Sequence, residues 1–159
     1  MKSYYAMFFC LAITLHNIEE ALWLPEWSQQ GQVFQKSVAP GEFYFAVIII
    51  TAFAYLSSFL FLYFPKSNFA RRLFIGFVGA MIINAIFPHL LATILMKSYA
   101  PGLLTALLLN VPINLFILYH LNKDCITSKK ELIISTIGMS VVLLACIPIL
   151  LVLGAKLTA

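Results

Sequence analysis

The chain has 159 residues, 62% of them hydrophobic and only 10% charged, with ten Lys and Arg against six Asp and Glu. An average soluble domain is roughly 45–50% apolar and 25% charged, and a globule of this length has too much surface for its volume to hide so many apolar side chains. Disorder, a collagen-like fibre and a disulfide scaffold are excluded, and a bilayer is the expected solvent.

A helix that crosses a hydrocarbon core ~30 Å thick needs ~20 mostly apolar residues, and helices are the expected way to satisfy the backbone in lipid. Five stretches qualify in chain order: 4–24, 43–64, 73–96, 103–121 and 132–153. The expected fold is therefore an all-α, polytopic transmembrane bundle of five helices forming a single integral membrane domain over 1–159. No alternating pattern of the kind a membrane barrel requires is present.

The first span follows Met1-Lys2 like a signal peptide, but His16, Glu19 and Glu20 stand where a small-x-small cleavage site would be, so an uncleaved helix is expected. Two phenylalanines before Cys10 argue against a lipoprotein anchor. The next segment, from Pro25 to Glu42, carries Gln29, Gln30, Gln32 and Gln35 and reads as an external loop or a surface helix capping the bundle. The third span contains Asn84, Pro88 and His89, where proline frees a carbonyl one turn back and kinks the helix. Its Gly76, Gly79 and Ala80 allow close helix approach. The fourth opens on Pro101-Gly102, carries Thr105, Asn110 and Asn114, and has a second internal proline, Pro112. The fifth offers only Ser135, Thr136 and Ser140 and reads as scaffold.

Lys2, Lys66, Arg71, Arg72, Lys123, Lys129 and Lys130 fall on one side of this topology, and Lys36, Lys97 and Lys156 on the other. The positive-inside rule then places the N-terminus in the cytoplasm and the C-terminus outside, and the plasma (inner) membrane is the expected location. Tyr4, Tyr5, Tyr63 and Tyr119 mark the inner ends, and Trp23, Trp27 and Tyr99 the outer ends. The basic residues flank helices, so no nucleic-acid partner is expected. Cys10, Cys125 and Cys146 imply neither a disulfide framework nor a CxxC metal site.

Charged side chains inside a span cost at least ~2.5–3.5 kcal/mol each and mark function by default. Here they are His16, Glu19, Glu20 and His89. The first three stand at i, i+3 and i+4, near one helical face. Two adjacent carboxylates in low dielectric require either a proton on one or a neutralising cation. Counting ~1.5 Å per residue from the inner ends puts His16 at about 18 Å, Glu20 and His89 at about 24 Å, and Asn84 at about 16 Å. Descending the fourth helix puts Thr105 at about 25 Å and Asn110 at about 17 Å. One polar site between helices one, three and four is expected, with Asn84, Thr105 and Asn110 as its supporting groups. His120 reads as an ordinary interfacial histidine, and Glu26 and Glu42 as solvated loop charges, with Glu42 within reach of the site.

His16-Asn17-Ile18-Glu19-Glu20, with Asn84, Pro88-His89 and the Pro101-Gly102-x-x-Thr105 start of the next helix, resembles the HXXEE-motif family of small integral membrane proteins. The resemblance touches three of the five spans and implies a location for the site, with no established activity attached to it.

Three function classes survive. His16, Glu19, Glu20 and His89 can form a metal centre for one divalent Zn or Fe ion in a membrane enzyme, or act without metal as a general acid–base set; either suits a membrane lipid or lipophilic small molecule as substrate. The set is neither the HExxH zincin motif nor the carboxylate-rich di-iron pattern. A proton- or cation-coupled transporter or channel subunit is the second class, though no inverted repeat is visible. A structural or regulatory membrane protein, with the polar groups as a buried clasp between helices, is the third.

Overall fold

The structure, a computed structural model, describes residues 3–30 and 37–158. Lys2, Gln32, Gln35 and Lys36, which entered the orientation and loop expectations, lie outside the described residues. Five helices follow one another: α1 (Tyr4–Gln30), α2 (Pro40–Tyr63), α3 (Asn68–Met96), α4 (Leu103–Lys123) and α5 (Lys129–Thr158). All five are long and apolar enough to cross a membrane.

Most helices overrun their apolar runs, because hydropathy marks the width of lipid while the helix continues into polar surroundings. The clearest case is α1, which passes through Pro25 to Gln30, so the first six residues of the expected 25–42 connection are helical. Ser28 secures this end, donating to the Pro25 carbonyl at 2.8 Å and accepting from the Val38 amide at 3.1 Å. Pro40 opens α2, where its fixed φ suits a first turn. Ser67 caps α3 by accepting from the Ala70 amide at 3.2 Å.

The helices divide the molecule into an apolar half and a polar one. At the end carrying Tyr5 and Phe9, buried side chains from α1, α2, α3 and α4 interlock: Phe61 stacks on Phe74 at 4.3 Å and Phe9 meets Phe74 edge-on at 5.5 Å. In lipid this packing rests on dispersion and shape rather than on expelling water. α3 is the most enclosed of the five spans and α5 the least. The α3–α5 contact is backbone-close, since a Cβ on Gly76 would come within 2.7 Å of the Ser135 carbonyl and one on Gly79 would overlap Thr136.

Two helices are distorted where the polar half begins. In α3 the turn 85–90 is widened, and Phe87 has φ −128° and ψ 118°, the extended region that a residue preceding proline favours. In α4 the turn 106–110 is widened as well, and it packs near the first. The α3–α4 connection bends through Lys97 (φ 51°) and Gly102 (φ 90°).

Candidate functional site

The polar groups that helix geometry predicts at one depth come together from α1, α3 and the start of α4. His16 is fully buried and His89 is 3% exposed; their rings stand 5.0 Å apart and perpendicular. The widened α3 turn sets this placement, bringing His89 inward five residues after Asn84. Glu20, one turn beyond His16 on α1, places its Oε1 3.1 Å from His89 Nε2 and 3.8 Å from His16 Nε2. One ligand atom from each of His16, Glu20 and His89 lies within 4.8 Å of the others.

The Gly102 carbonyl sets the tautomer of His16. His16 Nδ1 lies 3.1 Å from the Gly102 carbonyl, which can only accept, so Nδ1 donates and Nε2 keeps its lone pair. Both rings turn Nε2 toward Glu20 and Asn84. The Asn84 amide nitrogen sits 3.2 Å from His16 Nε2 and 3.1 Å from His89 Nε2, one N–H for each lone pair.

Glu19 is directed elsewhere. Adjacent helical residues project about 100° apart, and its carboxylate meets the start of α4 instead of the imidazoles. Oε1 accepts from the Gly102 amide at 2.9 Å and from the Tyr99 hydroxyl; Oε2 accepts from the Thr105 amide at 2.8 Å and the Thr105 hydroxyl at 2.5 Å. Thr105 Oγ1 also lies 3.1 Å from His16 Nδ1. Burial, followed by the bond to the Glu19 carboxylate, pushes the Tyr99 phenol up to about 12.

Of the remaining expected residues, Asn84 and Thr105 touch the cluster directly. Asn110 does not: it is fully buried in the second widened turn, and its amide has no hydrogen-bond partner among the described residues, as is also true of Asn114. Glu42 stays outside the cluster, its backbone packed on Gly154. Tyr99 and Gly102 also meet the site residues, by the Tyr99 bond to Glu19 and the close approach of Gly102, although the sequence reading gives neither a place in the site. Tyr99 reads as an interfacial aromatic and Gly102 as a turn, and only the return of the connection onto α1 reveals more. Gly102 is tightly placed: a Cβ there would lie 2.7 Å from His89 Cε1, 2.9 Å from His16 Cε1 and 3.0 Å from Glu20 Cγ.

His16 and Glu20 also form one wall of a partly open cavity of about 280 Å³ lined by α1, α2, α3 and α5. Apart from His16, Asn17, Glu20, Asn84 and Ser140, its lining is apolar. α5, expected to be scaffold, supplies a side of this cavity from Ser140 to Leu151.

Three donor atoms around one point can take a metal ion. Bonds of ~2.0–2.2 Å in tetrahedral geometry separate ligand atoms by about 3.4 Å; the two separations from Glu20, 3.1 and 3.8 Å, lie either side of that value, and all three ligand atoms lie within 4.8 Å of one another. Two imidazoles and a carboxylate are a donor set used by zinc hydrolases and by non-haem iron sites, each keeping a position open. The same His89–Glu20 contact can instead share a proton.

Comparison with known proteins places the chain among proteins with the same motif. Residues 7–117 match the family described as "Protein of unknown function with HXXEE motif". The chain is 59% identical over 155 residues to the "Uncharacterized protein YrkK" of Bacillus subtilis (strain 168), covering 98% of both chains. No solved structure gives a significant match.

Proposed function

The chain belongs to the HXXEE-motif family of unknown function, and we propose that it is a membrane enzyme that holds one divalent metal ion, zinc or iron, on His16, Glu20 and His89 and acts on a lipophilic substrate. The observation that carries this reading is the convergence of three donor atoms, with the tautomer of His16 set by the Gly102 carbonyl. Ligand histidines in metal sites characteristically have their second nitrogen committed in this way. When bound, such an ion supplies Lewis-acid polarisation and a more acidic water.

The chain's own groups account for the rest. The Asn84 amide occupies the two imidazole lone pairs and must turn aside for an ion to take them, leaving its N–H groups as donors beside the ligands, while the Glu20 carboxylate neutralises charge or accepts a proton there. The largely apolar cavity beside them suits a hydrocarbon chain. In this reading the N-terminus is cytoplasmic and the C-terminus lies outside the plasma (inner) membrane. Seven basic residues against three support that orientation, and the bonds of Arg71 and Arg72 to Glu131 tie together two connections assigned to the inner side.

A second reading, a metal-free acid–base pair of His89 and Glu20, is favoured by their 3.1 Å separation. Metal analysis of the purified protein separates the two. The metalloenzyme reading predicts about one Zn or Fe per chain, lost in Glu20→Gln; metal-free wild-type protein that retains its fold would leave the acid–base pair.

A further inference from the structure

We infer that the two adjacent glutamates of the motif do different work, and that Glu19 is a positioning residue that pins the Pro101-Gly102 turn over the His16–Glu20–His89 cluster. The consequence for metal affinity rests on the metal reading above; the pinning itself does not.

An ionised carboxylate offers about four lone-pair directions. Glu19, 5% exposed, meets four donors, all of them on residues 99–105: the Tyr99 hydroxyl, the Gly102 amide, and the amide and hydroxyl of Thr105. Its accepting capacity is filled, which leaves nothing for a metal ion. The two amides lie at the opening of α4, where N–H groups lack partners within the helix. A carboxylate from α1 therefore caps α4 across the bundle, with charge-assisted bonds that are shorter and stronger than neutral ones.

What Glu19 holds is the part of the chain that orients the cluster. The Gly102 carbonyl and Thr105 Oγ1 both lie 3.1 Å from His16 Nδ1 and fix which nitrogen faces Glu20. Gly102 itself approaches both rings so closely that a single methyl would collide with them. Displacing this turn by an ångström would rotate His16 and change the space in which the three ligand atoms meet. Glu20 faces away from the turn's amides and toward the imidazoles, so the i and i+1 positions of one helix serve two shells of one site.

The test pairs hydrogen–deuterium exchange of the segment 97–106 with equilibrium Zn²⁺ titration, using full-length protein in nanodiscs. In Glu19→Gln, the segment should exchange at least tenfold faster, while Zn²⁺ affinity falls about 10- to 100-fold at an unchanged one-to-one stoichiometry. Glu20→Gln should abolish stoichiometric Zn²⁺ binding and leave exchange of 97–106 unaltered. Loss of stoichiometric Zn²⁺ in Glu19→Gln with unchanged exchange would make Glu19 a ligand and overturn the inference; so would wild-type exchange and affinity in that variant. If wild-type protein binds no Zn²⁺, the metal reading fails and the exchange comparison alone decides the role of Glu19. Should Glu19→Gln fail to fold, Thr105→Val and Tyr99→Phe remove single donors from the same carboxylate and must loosen 97–106 in the same direction.

Discussion

At Gly102 two requirements coincide: a left-handed φ of 90°, and a bare Cα facing His16, His89 and Glu20. Gly102→Ala meets neither. It should lower stability by ~1–3 kcal/mol through backbone strain alone and weaken Zn²⁺ binding at least tenfold, checked by thermal unfolding and titration. Tyr99 provides a pH-dependent reporter of the same turn. Its raised value means that the neutral phenol is favoured in the fold, so its link to Glu19 is complete below pH ~10 and lost as pH rises through about 12. Ultraviolet titration of wild-type protein against Tyr99→Phe should show a midpoint near 12, and Glu19→Gln should move it part of the way toward 10, burial accounting for the remainder. The side chains that are legible in the sequence are those expensive to place in lipid: His16, Glu20 and His89 declare themselves by their depth. Glu19 declares itself too, but its role depends on which neighbour returns to it, and that neighbour lies eighty residues away.

At the scale of the helix, Pro88 shows how a local rule creates a site. Proline pushes Phe87 into extended conformation, the α3 turn widens, and His89 arrives beside His16. Pro88→Ala should let α3 run regularly through 85–90, carry His89 away from Glu20 and reduce Zn²⁺ affinity at least tenfold, with helical content by circular dichroism unchanged or slightly raised. Gly79 tests packing instead of chemistry. Any side chain there collides with Thr136, so Gly79→Val should separate α3 from α5 and cost ~1–3 kcal/mol of stability by overpacking. The number and order of helices can be read from five apolar runs, and the interruption of α3 from one proline. The extension of α1 past Pro25 cannot be read that way, because the hydrophobic pattern stops where lipid stops. Nor does the fifth run reveal that α5 walls the cavity, since a lipid-facing residue and a cavity-facing one can both be leucine.

Across the whole molecule, the apolar half packs aromatic side chains and the polar half gathers what lipid should exclude, so the bundle presents its His–Glu cluster beside an apolar cavity. The proposed orientation places the exposed Cys125, between α4 and α5, in the cytoplasm. In a Cys10→Ala, Cys146→Ala background, a membrane-impermeant maleimide should label Cys125 only after cells are permeabilised. All of the candidate site lies within residues 7–117, the part that matches the motif family, while α5 lies beyond it. The proposed metal centre draws on His16, His89 and Glu20 together. X-ray absorption at the K-edge of the metal carried by the purified protein tests it most directly: two imidazoles with oxygen ligands and no sulfur are predicted, and His89→Ala should remove one imidazole. Sulfur scattering from a cysteine, or a metal environment indifferent to His89→Ala, would contradict it.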